Sequence, residues 1–141
     1  MQNTSTLPTL SAYNKAIELA DVRRDPVTYP RISATPQEEA VAKMTQIVYG
    51  AVLYKGQEIS KERLAFMANA LVAEILSDTQ YGLRHISWYE IGRAIRNAVL
   101  GGGREMYGVS VSSLYAALID YAKGEGHAAE QMATDISTLY D

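Results

Sequence analysis

From residue 36 onward the apolar positions of this chain recur at three- and four-residue intervals, the spacing that predicts a series of helices. Thr35 reads as an N-cap and Pro36 as the first helical residue, with Glu38 and Glu39 opposing the positive end of the dipole. Val41, Met44, Val48 and Val52 continue that helix, and Gly56 ends it. Ser60 caps the next, in which Leu64, Met67, Leu71 and Ile75 form an apolar stripe with Asn69 and Glu74 outside; it stops near Asp78. In ISWYE, Ser87 and Glu90 have the spacing of a capping box, and Ile86 and Ile91 that of a hydrophobic staple. Trp88, Ile91, Ile95 and Val99 fall on the inward side of that helix. Ser110 caps a further helix carrying Val111, Leu114, Tyr115, Leu118 and Tyr121. Gly124 and Gly126 then read as punctuation before a last helix with Met132, Ile136 and Leu139. No segment alternates as a strand would. The pattern predicts an all-α protein, a compact bundle of about five helices over residues 36–141.

The first 35 residues read differently, because Pro8, Pro26, Pro30 and Pro36 are the only prolines and all lie at or before position 36. This predicts an irregular N-terminal arm, residues 1–35, holding one short helix over Ser11–Val22 with Ile17 and Leu19 inward. RRDPVTYPRIS follows as an extended connector, since residues before proline avoid the helical region.

A chain of 141 residues matches one domain and is long enough to bury a core without staples. The absence of cysteine removes disulfides, thiol catalysis and cysteine-based zinc sites, and fits a reducing cytoplasm. A net charge of −3 argues against a protein that coats nucleic acid, while leaving room for a local basic face. No apolar run approaches the roughly 18 residues of a membrane span, and the N-terminus lacks the basic and apolar regions of a secretory signal. Ten tyrosines stand against one phenylalanine, a balance that suits half-buried rings at helix ends or several small interfaces.

The stretch GGGREMYGVS, residues 101–110, raises the question of a phosphate loop. Such a loop precedes a helix, where free N–H groups face the anion; these glycines follow one, at its carbonyl end. They read as a helix stop. The candidate anion site is instead the next helix start, with Ser110, Ser112 and Ser113; its alternative is an ordinary N-cap with solvent-facing serines.

Arg93 and Arg96 share a helix face with Tyr89 and Asn97, and with Arg84, His85 and Arg104 they make the most basic region of the chain. Two readings remain for it. Arg84, Arg93, Arg96 and Arg104 contact nucleic-acid phosphates beside a stacking aromatic, or they form a solvated face on which Glu90 pairs with Arg93. His85 and His127 are far apart and lack a metal-binding partner motif. No nucleophile, base and acid can be assembled, so no catalytic residue, metal or cofactor is expected; a pocket joining His85 to Asp78 or Asp120 would revive an enzyme reading.

From about Ile59 to Tyr121, the runs ISKERLAFMANALVAEILSD, ISWYEIGRAIRNAVLGG and EMYGVSVSSLYAALIDY resemble a family of small all-helical proteins of bacteriophages and bacterial mobile elements. The matching positions are Glu90, Ile91, Ala94, Gly101, Tyr107, Gly108, Ser110 and Tyr121. That family is similar in size and helical make-up to replisome organisers and helicase loaders. The resemblance implies a replication-associated role for a protein of the bacterial host cytoplasm, although the short GGG turn here departs from the longer, more basic turn of that pattern. With the arginine cluster, the expectation is a non-enzymatic accessory protein acting through a protein partner or self-association, with a modest DNA-facing surface at Arg84, Arg93, Arg96 and Arg104. The competing expectation is a structural or assembly subunit that lays the Leu7–Ile32 arm across a neighbour.

Overall fold

The computed structural model describes residues 9–101, 106 and 108–140. Six α-helices follow in order: α1 Leu10–Arg24, α2 Gln37–Tyr54, α3 Lys61–Ser77, α4 Trp88–Val99, α5 Val111–Tyr121 and α6 His127–Tyr140. The architecture is all-α, and five of these helices lie after residue 36.

Local chemistry explains most of the boundaries. Ser60 Oγ accepts from the Arg63 N–H at 3.1 Å, starting α3. Ser87 and Glu90 form the expected capping box of α4. Ser110 and Ser113 form a second one at α5, with serine in the place of the usual Glu or Gln. Gly56 and Gly101 end α2 and α4 at φ of 68° and 81°, a conformation that a Cβ disfavours. The reading of Gly101 as a helix stop therefore holds, whereas Gly102, Gly103, Arg104 and Tyr107 lie outside the described residues.

Two local expectations need correction. Thr35 is not the N-cap of α2: Pro36 occupies that position and its carbonyl accepts from the Ala40 N–H at 2.9 Å. The Thr35 hydroxyl is engaged elsewhere, donating to the Arg31 carbonyl and accepting from Trp88 Nε1, each at 2.9 Å. It ties the connector to α4 rather than capping a helix. Gly124 and Gly126 do not punctuate either. The helix runs on from α5 to α6 through a π turn, Ala122–Gly126. Such wide turns insert one extra residue per turn and re-aim the side chains that follow.

The core is one contiguous cluster. Met44, Val48, Leu71, Ile75, Ile91, Leu114 and Leu118 are all buried in it, α2 packing along α3 and α5 packing against α3 and α4. Leu19 of α1 and Ile32 of the connector belong to the same cluster, so residues N-terminal to position 36 share the core. Ile17, expected inward, is only half-buried, because Leu19, Ala20 and Val22 form the inner face of α1. The connector is pinned by two backbone bonds, Ile32 N–H to the Ile86 carbonyl and Trp88 N–H to the Pro30 carbonyl, both 3.1 Å. In α6 the buried positions are Ala129 and Ala133 rather than its larger apolar residues. Leu139 is exposed. Alanines at that face let α6 lie close along α1, its main partner.

Candidate functional site

Glu90 is fully buried, and each of its carboxylate oxygens has its own task. Oε1 accepts from the Ser87 backbone N–H and hydroxyl, both at 3.2 Å, completing the capping box. Oε2 accepts from Arg23 Nε and Nη2, both at 2.9 Å, and from the Tyr121 hydroxyl at 2.5 Å. One carboxylate thus joins α1, α4 and α5. The expected Glu90–Arg93 pair does not form, because Glu90 lies on the inward side of α4 and its oxygens are already saturated by these donors.

Arg23 holds its third nitrogen outward. Nη1 donates to Glu130 Oε2 at 2.8 Å, and the Glu130 side chain is 64% exposed. Burial works against the Arg23 charge, but Glu90 and Glu130 outweigh it and hold the guanidinium above its ordinary value. Burial, reinforced by the Glu90 charge and hydrogen bond, pushes the Tyr121 phenol far above the ordinary range. Gly126 makes the arrangement fit. A Cβ there would stand 3.1 Å from Tyr121 Cε2 and from the Tyr121 carbonyl oxygen, and 3.2 Å from Arg23 Nη2. Ordinarily Gly→Ala in a helix gains about 0.5–1 kcal/mol. Gly126→Ala is expected to reverse that sign in a denaturant titration, because the new methyl presses on backbone and on the buried ion pair. Gly124→Ala, with open space above it, should keep the ordinary sign.

Above this network opens a cavity of about 310 Å³ lined by Arg23, Arg31, Tyr81, His85, His127 and Glu130, among others. The two histidines, far apart in sequence, meet on its wall. Neither Asp78 nor Asp120 lines it. The Asp78 carboxylate instead accepts from the backbone N–H groups of Gln80, Tyr81 and Leu83, shaping the turn that presents His85. Among the described residues no group of three or more His, Asp or Glu is placed to hold a metal ion.

The arginines named from the sequence are dispersed in role. Arg84 is exposed on the short turn Leu83–His85, and Arg96 is exposed on α4. Arg93 is turned toward acid: its Nη2 lies 3.5 Å from Glu125 Oε2, and its Nε is buried with no hydrogen-bond partner among the described residues. Tyr89, the expected stacking ring, meets Tyr29 edge-on at 5.4 Å, and its hydroxyl donates to Glu18. Arg104 lies outside the described residues. At the α5 start, Ser110 and Ser113 hydrogen-bond each other, and the Ser113 hydroxyl is within 3.0 Å of the Gly108 carbonyl; Ser112 is exposed. This is the arrangement of an ordinary cap.

A second depression, about 380 Å³, lies between α2 and α4. Ile47, Ala51, Ile95 and Val99 give it an apolar floor, with Gly50 and Gly92 in the two walls and Tyr54, Arg96 and Leu100 at its edges. A Cβ at Gly50 or Gly92 would meet nothing within 4 Å.

Sequence reasoning missed Arg23, Arg31, Glu130 and Gly126. The available signals were the basic end of α1 and the paired glycines before α6, both of which read as helix punctuation. No helix among the described residues is long and apolar enough to cross a membrane. Comparison of the chain with protein-family models, with curated proteins and with solved structures finds no match.

Proposed function

We propose that this chain is a non-enzymatic helical accessory protein that works by holding a helix of a partner protein in the α2–α4 groove. The observation that carries this reading is the groove itself, an apolar channel flanked by two helix-interior glycines that nothing inside the molecule requires. Each such glycine costs a helix roughly 0.5–1 kcal/mol relative to alanine. Their open Cα positions allow a third backbone to approach closely. The lining residues run from Gln46 to Tyr54 and from Gly92 to Leu100, a span of about 12 Å on each helix. That accommodates two to three turns of an amphipathic helix.

Charge selects the occupant. Arg96 stands at the groove edge, and Lys43 lies one turn before Gln46 on the same face of α2. Neither has a carboxylate within ion-pair distance among the described residues. The fitting partner is therefore a helix with small or aliphatic residues on one face and acidic residues beside them. The resemblance to bacteriophage and mobile-element proteins supports a setting in replication. The DNA-facing residues of this reading are Arg84 and Arg96, because Arg93 already faces Glu125. The assembly-subunit reading has less support, since α1 buries Leu19, Ala20 and Val22 within its own chain.

Substitution at one glycine tests the reading from both sides. Gly92→Ala is expected to raise stability by about 0.5–1 kcal/mol, while Gly92→Leu fills the groove and leaves the fold intact. A partner recovered from host cells, then purified and titrated directly, should bind the wild-type chain and lose at least ~10-fold in affinity to Gly92→Leu and to Arg96→Glu. Undiminished binding by both variants would remove the groove from consideration. In a low-salt gel shift, equal retardation of DNA by wild type and by Arg84→Ala/Arg96→Ala would likewise exclude the DNA surface.

A further inference from the structure

We infer that the cavity enclosed by α1, the Tyr81–His85 turn and the first turn of α6 is a binding site for a phosphate-bearing small molecule. The site is separate from the α2–α4 groove and rests on different residues. Four side chains able to carry positive charge line it: Arg23 and Arg31 from the N-terminal segment, His85 from the turn, and His127 from α6. Glu130 is the single carboxylate in the lining. The floor is rigid, because Arg23 is fixed through Nε and Nη2 to the buried Glu90. Its Nη1 is the nitrogen paired with the exposed Glu130.

That nitrogen already holds an oxyanion. Glu130 places Oε2 on it at 2.8 Å, yet the Glu130 side chain is largely exposed and reaches in from the rim. An ion pair with such an exposed partner is weak and exchangeable. A soluble anion that displaces the Glu130 carboxylate takes over a donor already positioned for oxygen. It also gains groups that Glu130 does not engage. Arg31 donates Nη2 to the Arg23 carbonyl at 3.0 Å, which orients it, and it has no carboxylate partner among the described residues. Neither histidine has a side-chain hydrogen bond among those residues.

The chemistry of the ligand follows. Donors supplied to one cavity by three separate elements suit a tetrahedral dianion, which accepts hydrogen bonds in diverging directions, better than a planar carboxylate. A volume of about 310 Å³ lies at the small end of ligand pockets, enough for a phosphate with a short organic body and too small for a folded chain. A cationic ligand would meet the guanidinium groups and be repelled.

The test is a titration of the full chain with inorganic phosphate, followed by NMR of the His85, His127 and Arg31 side chains, against sodium chloride at matched ionic strength. Saturable shifts confined to phosphate are expected. Glu130→Gln removes the competing charge and should tighten phosphate binding about 3- to 10-fold, whereas Arg31→Gln should weaken it ~10-fold or more. Glu130 is exposed, so its variant reports on binding even if Arg31→Gln fails to fold. Equal responses to phosphate and chloride, or weaker phosphate binding by Glu130→Gln, would overturn the site. Gly92→Leu should leave phosphate binding unchanged, which separates this outcome from that of the groove.

Discussion

Glu90→Ala is expected to destabilise the protein by about 3–5 kcal/mol, the range for removing one partner of a buried ion pair. The substitution removes the acceptor of Arg23 and of the Tyr121 hydroxyl together, and it also dismantles the α4 capping box. For a chain of this size such a loss lowers the melting temperature by roughly 10–17 °C. The large effect comes from what stays behind: a guanidinium and a phenol, both mostly buried, with no anion between them. Replacing both members, as in Arg23→Met/Glu90→Leu, should therefore recover the part of the loss due to the stranded guanidinium, leaving the cost of the unpaired Tyr121 hydroxyl and of the broken α4 cap. A calorimetric comparison of the three proteins decides the matter. If Glu90→Ala costs only the ~1 kcal/mol of a lost helix cap, the network contributes nothing beyond α4 itself.

The second large effect is alkaline. The folded-state pKa of Tyr121 is raised by burial and by Glu90, so the folded chain keeps the phenol proton to higher pH than the unfolded chain does. That contribution is complete below the ordinary phenol value near 10 and falls away as pH rises above it. The slope reaches about 1.4 kcal/mol per pH unit, or roughly 2 kcal/mol between pH 10 and 12, since it is only half-developed at pH 10. Urea titrations of wild type and Tyr121→Phe across that interval measure it. At neutral pH the variant should be less stable by about 1.5–3 kcal/mol, having lost one hydrogen bond to a charged group. Its deficit relative to wild type should then shrink as pH climbs, since phenylalanine has no proton to lose. Parallel curves for the two proteins would mean that Tyr121 ionises without resistance.

Both predictions concern residues whose importance was only half legible. Glu90 was visible as the third position of a capping box, a reading that needs only four consecutive residues. Its second oxygen was not, because the groups it meets lie 67 and 31 residues away. Tyr121 likewise appeared as one more apolar position of a helical stripe. The periodic face of α3, the caps Ser60, Ser87 and Ser110, and the stops at Gly56 and Gly101 were all readable for the same reason: each is set by neighbours within one or two helical turns.

The misreadings share the opposite cause. Thr35 has the chemistry of a cap, but Trp88 Nε1 and the Arg31 carbonyl compete for its hydroxyl and take it. Gly124 and Gly126 have the composition of a break, but Gly126 is needed for close approach to Tyr121 and Arg23, and the helix widens into a π turn instead of ending. Glu90 has the spacing to pair with Arg93, but it faces Arg23 and Tyr121, and Glu125 from the π turn lies beside Arg93 instead.

By itself the sequence determined the helices, most of their caps and the all-α class, because backbone propensity, capping and 3.6-residue periodicity are local properties written in adjacent residues. Tertiary structure alone decided which charges became structural and which stayed available. Arg23 was drawn into a buried pair with Glu90, Arg93 was turned toward Glu125, and His85 and His127 were brought to one cavity. Those outcomes depend on which faces meet when α1 packs along α6. Charge–charge energy falls with distance and with solvent access, and neither quantity exists until the helices are placed.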